Sequence, residues 1–308
     1  MELHSSILRT IAYFDLFNYP LTIEDIHRFL DTETDTSTLE KELGSMIHQG
    51  FIYRTDVYYS VKNDPALARK RQRGEILADD LLRIAARNAR LLYQFPYVVG
   101  VCISGSLSKR CADDRSDIDY FIITKANRLW IARTLMHLLK KFSYLRGHQH
   151  RFCMNYYVDE QALEIGEKNI FTATELLTLM PMCGNGGLDR FFEANDWTSL
   201  YLPHYRHRHW TGRGYHRTSL LKRLLERLFD NRLGDVLEKQ LYKITDLRWK
   251  KKTERGDLNI KGDIMALQCS PHYSRPDPER FQRKILAKYH RRLKELVADE
   301  TIQYSNLR

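Results

Sequence analysis

The run Val98-Val99-Gly100-Val101-Cys102-Ile103 leads into Ser104-Gly105-Ser106, and about ten residues later Asp117-Ile118-Asp119 opens a second apolar run, Tyr120-Phe121-Ile122-Ile123. Short apolar runs bounded by turn residues read as buried strands. The chain must therefore fold around a strand, a Gly-Ser turn and a second strand that begins with alternating acids. Successive side chains of a strand point to opposite faces, so Asp117 and Asp119 are expected to share one face while Ile118, Tyr120 and Ile122 take the other.

Two carboxylates held side by side repel each other, and a divalent cation removes that conflict. Oxygen ligands on a strand suit Mg²⁺, which takes one or two carboxylates and completes its shell with substrate phosphates and water. Gly105 lets the backbone come close to a phosphate, and Ser106 offers a hydroxyl and an N–H where a helix can begin.

At these residues the sequence resembles the DNA polymerase β superfamily of nucleotidyltransferases, in the style of its small prokaryotic members. The signature is an apolar strand, Gly-Ser, about ten residues, then Asp-x-Asp in a second apolar strand. Ser104-Gly105-Ser106 and Ser116-Asp117-Ile118-Asp119 match it, and the resemblance is specific over residues 97–124. It implies transfer of a nucleotidyl group from an NTP or dNTP to an acceptor hydroxyl, with release of pyrophosphate. Two Mg²⁺ ions would bridge the reacting oxygens, with Mn²⁺ able to substitute. By the same resemblance Asp117 and Asp119 are the metal ligands, and Ser104, Gly105, Ser106, Lys109 and Ser116 bind the nucleotide. The acceptor is left open: a nucleic acid end, a protein side chain including the protein's own tyrosine, or a small molecule.

The family takes a third carboxylate from its third strand. Here that strand is expected over Arg151–Val158, and the matching position carries Asn155, which is expected to assist catalysis. Asparagine can give a carbonyl oxygen to a metal or orient a ribose hydroxyl, but it cannot act as a base at neutral pH. Asp159 and Glu160, just beyond, are candidate substitutes for that base, although as turn residues they read as solvated. The alternative is a catalytically retired nucleotide- or nucleic-acid-binding protein that acts through a partner.

Charge divides the 308 residues. Residues 1–64 hold 5 Lys and Arg against 11 Asp and Glu, a net of −6; residues 65–200 carry +4 and residues 201–308 carry +12. The acidic segment reads as three helices followed by a ribbon. Ile7, Ile11, Phe14 and Phe17 mark the first helix; Thr22 caps a second through Ile23, Ile26, Phe29 and Leu30; a third starts near Ser37 and ends at Gly50. A ribbon turned at Thr55-Asp56 follows. The pattern resembles a winged helix, but Glu40 and Glu42 on the third helix and the net charge of −6 argue against duplex DNA and for protein docking.

Pro65 starts a long helix to Tyr93 whose Arg69, Lys70, Arg71 and Arg73 read as a solvated face. A helix over Arg128–Leu145 follows the second strand, and another starts at Asn169 and leads to Pro181 and a flexible Gly184–Gly187. His204–Trp210 reads as an exposed basic, aromatic loop able to meet nucleotide phosphates or bases. Three amphipathic helices follow, marked by Leu220–Leu228, Val236–Ile244 and Phe281–Leu296, with a frayed tail over Thr301–Arg308.

The expected architecture is thus α/β with mostly helical flanks, α+β overall. Its parts are a winged-helix-like module (1–64), a polymerase-β-type core (65–165) and a basic helical C-terminal domain (166–308) that can carry single-stranded nucleic acid. No stretch approaches the ~20 apolar residues of a membrane span. With no basic-then-apolar leader and five scattered cysteines, a cytoplasmic protein with reduced thiols and no membrane partner is expected.

Overall fold

The computed structural model describes residues 2–113, 116–144, 152–205, 218–258, 264, 266–276 and 281–306. Its secondary structure is mixed α/β, built around a six-stranded mixed sheet.

The acidic segment forms α1 (Glu2–Asp15), α2 (Ile23–Phe29), α3 (Thr36–His48) and the ribbon β1 (Tyr53–Thr55) and β2 (Tyr58–Ser60). Thr22 caps α2 in a full capping box with Asp25, and Asp35 caps α3 by accepting from Thr38 N. The turn of the ribbon falls at Asp56-Val57, one residue later than the sequence suggests, because Asp56 takes a left-handed φ of 55° and Thr55 pairs with Tyr58. Leu21 forms an antiparallel bridge to Tyr59, which ties the start of α2 to the ribbon. Ile7, Ile11 and Phe14 are buried as expected; Phe17 lies past the helix end and is exposed.

This N-terminal core is completed by later residues, since Leu177, Leu202 and Tyr289 pack into it. Several of its acids are paired within the chain. Asp15 pairs with Lys62 (2.8 Å) and Arg292 (3.0 Å), and Asp25 pairs with Arg71 (3.2 Å).

Arg71 corrects the expectation of a solvated basic face. It sits buried on α4 (Pro65–Tyr93), its guanidinium 3.7 Å from the centre of the Tyr19 ring, with Glu75 at 2.7 Å and Pro20 O at 3.3 Å. Burying an arginine is tolerable only with such partners, and here they join the acidic segment to the long helix.

The sheet runs β6-β3-β4-β5-β8-β7, where β3 is Val98–Ser104, β4 Asp119–Thr124, β5 Cys153–Asp159, β6 Met180–Gly184, β7 Leu267–Cys269 and β8 Tyr273–Pro276. Only β4 and β5 pair in parallel. Strand alternation sorts the core. Val101, Ile103, Tyr120, Ile122 and Tyr157 face α4 and α6 (Leu129–Tyr144), while Cys102, Phe121, Ile123 and Val158 face α7 (Ile170–Leu177) and α8 (Gly186–Ala194). A four-residue α5 (Gly105–Ser108) follows β3.

Several expectations fall here. The region around Pro181 is strand β6, at the edge of the sheet where a missing N–H is tolerated, and Asn185 caps α8, so Gly184–Gly187 is ordered strand and helix start. The sheet also draws β7 and β8 from far beyond residue 165.

Of the C-terminal helices α9 (Leu220–Phe229), α10 (Arg232–Arg255) and α11 (Phe281–Asn306), the last is helical to Asn306, within the tail expected to fray. Helix α9 is inside out. Leu220, Leu221, Leu224 and Leu228 are exposed, and Lys222 is buried instead, donating to Tyr93 O (2.7 Å) and Val98 O (2.6 Å). Glu226 accepts from Tyr97 N (2.8 Å), so the helix is held by polar groups on the turn between α4 and β3. Among the described residues no helix is long and apolar enough to cross a membrane.

Candidate functional site

The register of the central strands assembles the site. Ser104, the last residue of β3, lies opposite Asp119, the first of β4, and Asp119 lies beside Cys153, the first of β5. Gly105 turns the chain out of β3 with φ +69°, and a Cβ there would stand 2.7 Å from Asp119 Oδ2. The Gly-Ser turn and the second acid of Asp-x-Asp are therefore in direct contact, and only glycine leaves room for it.

Asp117 precedes the strand, which begins at Asp119, so strand pairing fixes the side of the sheet only for the second acid. Both carboxylates act electrostatically on the Cys153 thiol, Asp119 more strongly than Asp117. Burial, with these two charges adding to it against Lys140, pushes that thiol up to about 11. It therefore stays protonated at neutral pH and donates to Asn155 Oδ1 (3.2 Å).

Asn155 is the extra residue of a β-bulge. Tyr120 pairs with Met154 and Phe121 with Tyr156, so the intervening asparagine has no partner in the register. Bulges re-aim side chains. Here the amide is turned onto the site, and its Nδ2 donates to Asp119 Oδ1. With Oδ1 on the Cys153 thiol and Nδ2 on Asp119, both ends of the amide are engaged, and Asn155 positions the carboxylate. A third carboxylate at this place would repel Asp119; the amide attracts it.

Ser104, Gly105, Asp119 and Asn155 form one wall of a cleft of about 570 Å³. The other walls come from α7, from the β7–β8 hairpin through Gln268 and Arg275, and from the start of α11. Sequence reasoning missed the hairpin and with it Arg275. Its guanidinium holds Gln268 Oε1 (3.0 Å to Nε) and Glu167, and lies 5.9 Å from the centre of the Tyr156 ring. The legible signal was Ser270-Pro271 between two short alternating runs.

The remaining expected residues are placed less directly. Lys109 Nζ reaches back to Gly105 O (3.2 Å) and to Glu175 (2.8 Å), which itself lines the cleft. Ser106 is exposed on α5. Ser116 donates to Asp113 Oδ1 (2.9 Å) and accepts from Asp113 N (2.8 Å), closing the loop ahead of Asp117. Asp159 and Glu160 are not solvated. Asp159 is fully buried at the opposite end of β5, accepting from Asn127 N (2.8 Å) and meeting His272 Nδ1 (2.9 Å), while Glu160 pairs with Arg190. Neither can stand in for a base at Asn155. Of the basic, aromatic loop, residues 206–210 lie outside the described residues; His204 accepts from Thr34 N (3.0 Å) and stacks on His27 at 4.1 Å.

Among the described residues, no group of three or more carboxylate, imidazole or thiol side chains gathers into a metal cage. Of the two acids of the motif, Asp119 lines the open cleft, and a carboxylate there is a donor of the kind Mg²⁺ takes while sharing its shell with a ligand. A larger cavity of about 690 Å³, between the acidic segment and α5, is lined by Arg28, Arg71 and Lys109 but holds none of Gly105, Asp119 or Asn155. Compared with protein-family models, with curated proteins and with solved structures, the chain matches none.

Proposed function

We propose that the chain is a Mg²⁺-dependent nucleotidyltransferase of the polymerase β type. The observation that carries the reading is the contact between Gly105 and Asp119, with Asn155 of the next strand hydrogen-bonded to the same carboxylate. Three adjacent strands thereby deliver a phosphate-approach turn, a metal-type carboxylate and a positioning amide to one corner of a cleft of ligand size.

In this reading Asp117 and Asp119 hold the cation, and the two carboxylates balance one divalent charge. The metal, when bound, neutralises charge on the phosphates and lowers the pKa of the attacking hydroxyl. Gly105 lets the triphosphate approach the backbone, and Asn155 keeps Asp119 in place between turnovers. Arg275 on the opposite wall, paired with Glu167 and held by Gln268, brings a fixed guanidinium to the cleft from the C-terminal third. The order α1, Leu21 bridge, α2, α3, β1, β2 supports the winged-helix reading of the acidic segment, with docking rather than duplex DNA as its use.

The test is incubation of the pure protein with each labelled triphosphate and Mg²⁺ or Mn²⁺, with and without single-stranded acceptors. Pyrophosphate release by the wild type, lost in Asp119→Ala and Asp117→Ala, is expected. Wild-type turnover in the double variant would overturn the assignment. A second reading, a retired nucleotide binder, is favoured by one observation: the third-strand position carries an amide with both ends engaged. It predicts an inert wild type that gains activity as Asn155→Asp.

A further inference from the structure

The face of the sheet turned away from the cleft carries a buried polar cluster that the proposed reaction does not use. Tyr156 and Arg275 line the cleft, so their chain neighbours Tyr157 and Ser274 point to the other face, beneath α6. Tyr157 lies directly opposite Ser274, and Ser274 directly opposite Cys269. From above, Arg133 and His137 reach down from positions one helical turn apart on α6. The Arg133 guanidinium lies 5.8 Å from the centre of the Tyr157 ring, and the His137 ring 6.2 Å from it.

Four polar atoms of this cluster are buried and make no hydrogen bond: Arg133 Nε, His137 Nε2, Tyr157 OH and Ser274 Oγ. Arg133 is 7% exposed, and among the described residues its guanidinium lies against aromatic faces, Trp130 at 5.3 Å and Tyr157, with no carboxylate acting on it. Asp246 of α10, the carboxylate that reaches Cys269, is itself paired with Lys250 at 2.8 Å. The charged groups that act on His137 are all positive: Arg133, Lys140 and Lys141.

A buried guanidinium without a counter-charge is costly, and so, to a lesser degree, is each buried polar atom left unbonded. Every one of the four orphaned atoms can present a hydrogen: guanidinium, phenol, hydroxyl and the Nε2–H tautomer of a neutral imidazole. Two come from the helix above and two from the strands below. An acceptor-rich group bearing negative charge between α6 and the sheet would give these donors the acceptors they lack, whereas water brings no charge to balance Arg133. We propose that Arg133, His137, Tyr157 and Ser274 form a binding site for a phosphate-type oxyanion, either free or as the phosphate of a larger ligand, on the face of the sheet opposite the cleft.

The test is thermal unfolding of the full chain, without Mg²⁺, in inorganic phosphate, pyrophosphate, ATP and, as a control for general salt effects, chloride at matched ionic strength. For the wild type a rise of a few degrees in Tm is expected by about 20 mM phosphate, growing with the logarithm of concentration as linkage requires. Arg133→Met should abolish the phosphate-specific rise. Its own Tm without phosphate should equal or exceed that of the wild type, because a buried charge has gone. Should Arg133→Met fail to fold, Tyr157→Phe, which removes only the hydroxyl, should cut the affinity about tenfold or more. A rise with inorganic phosphate that Arg133→Met abolishes identifies the free anion, a rise only with ATP or pyrophosphate that Arg133→Met abolishes identifies a phosphorylated ligand, and a rise that the variant keeps belongs to the cleft. No rise in any arm, or an equal rise in wild type and variants, would refute the site. Transferase activity plays no part in these readouts, so this site and the proposed reaction stand or fall separately.

Discussion

Gly105→Ala tests the site through a single methyl group. The substitution does two things that can be separated. It places an L-residue at φ +69°, which costs about 1–2 kcal/mol. It also brings a Cβ to 2.7 Å from Asp119 Oδ2, so the carboxylate must retreat by about 0.7 Å to restore an ordinary contact. A displacement of that size at a reacting centre costs on the order of 10–100-fold in rate. Gly256 provides the control, because it has the same backbone twist, φ +68°, and open space where its Cβ would stand. Both variants should therefore lose about 1–2 kcal/mol in urea unfolding, and only Gly105→Ala should also lose pyrophosphate release. A Gly105→Ala protein with unchanged turnover, or a Gly256→Ala protein equally slowed, would refute the reasoning that the glycine exists to admit Asp119.

Other consequences are as direct. Asn155→Ala should slow transfer without shifting the pH profile, since the amide orients Asp119 and exchanges no proton; a displaced profile would contradict this. Burial, reinforced by Arg133, holds His137 down at about 3, so the folded protein binds fewer protons than the unfolded chain between that value and the ordinary 6.5. In phosphate-free buffer stability should fall as pH drops through this window, by up to about 1.4 kcal/mol per unit from this residue. His137→Phe should flatten that slope, as followed by urea unfolding across pH. Arg71→Ala strands Asp25 and Glu75 and should cost about 3 kcal/mol or more, whereas Arg69→Ala on the exposed side of the same helix should change little.

Where the fold was legible, the signal was local. Thr22 and Pro65 marked their helix starts because a cap or a fixed φ acts within a few residues. The Gly-Ser and Asp-x-Asp halves of the site could be paired in advance because each ends or opens an apolar run, and antiparallel pairing of those runs brings Ser104 to Asp119. What escaped depended on distant partners. Strand β6 contains Pro181 and earns its place only from the free edge of β3. The β7–β8 hairpin is too short to show a period and forms because β5 offers an open edge. Arg71 looked like one of four surface cations until Tyr19 and Asp25 closed over it. The bulge that aims Asn155 is a property of two strands and is written in neither alone.

The inverted α9 has a consequence for how the chain opens. Lys222 binds carbonyls between α4 and β3, Glu226 binds the Tyr97 amide, and on α10 Glu238 accepts from Trp130 N (2.7 Å) and Ile131 N (2.9 Å) at the start of α6. Four of the five α9 leucines are exposed and add little to the core, Leu225 being half-buried. An element latched by a few hydrogen bonds and little apolar area should separate as a sub-global unit, with free energy well below that of the sheet and a small dependence on denaturant. In native-state hydrogen exchange the amides of 221–229 should therefore be among the first of the structured helices to exchange, long before those of β3 and β4.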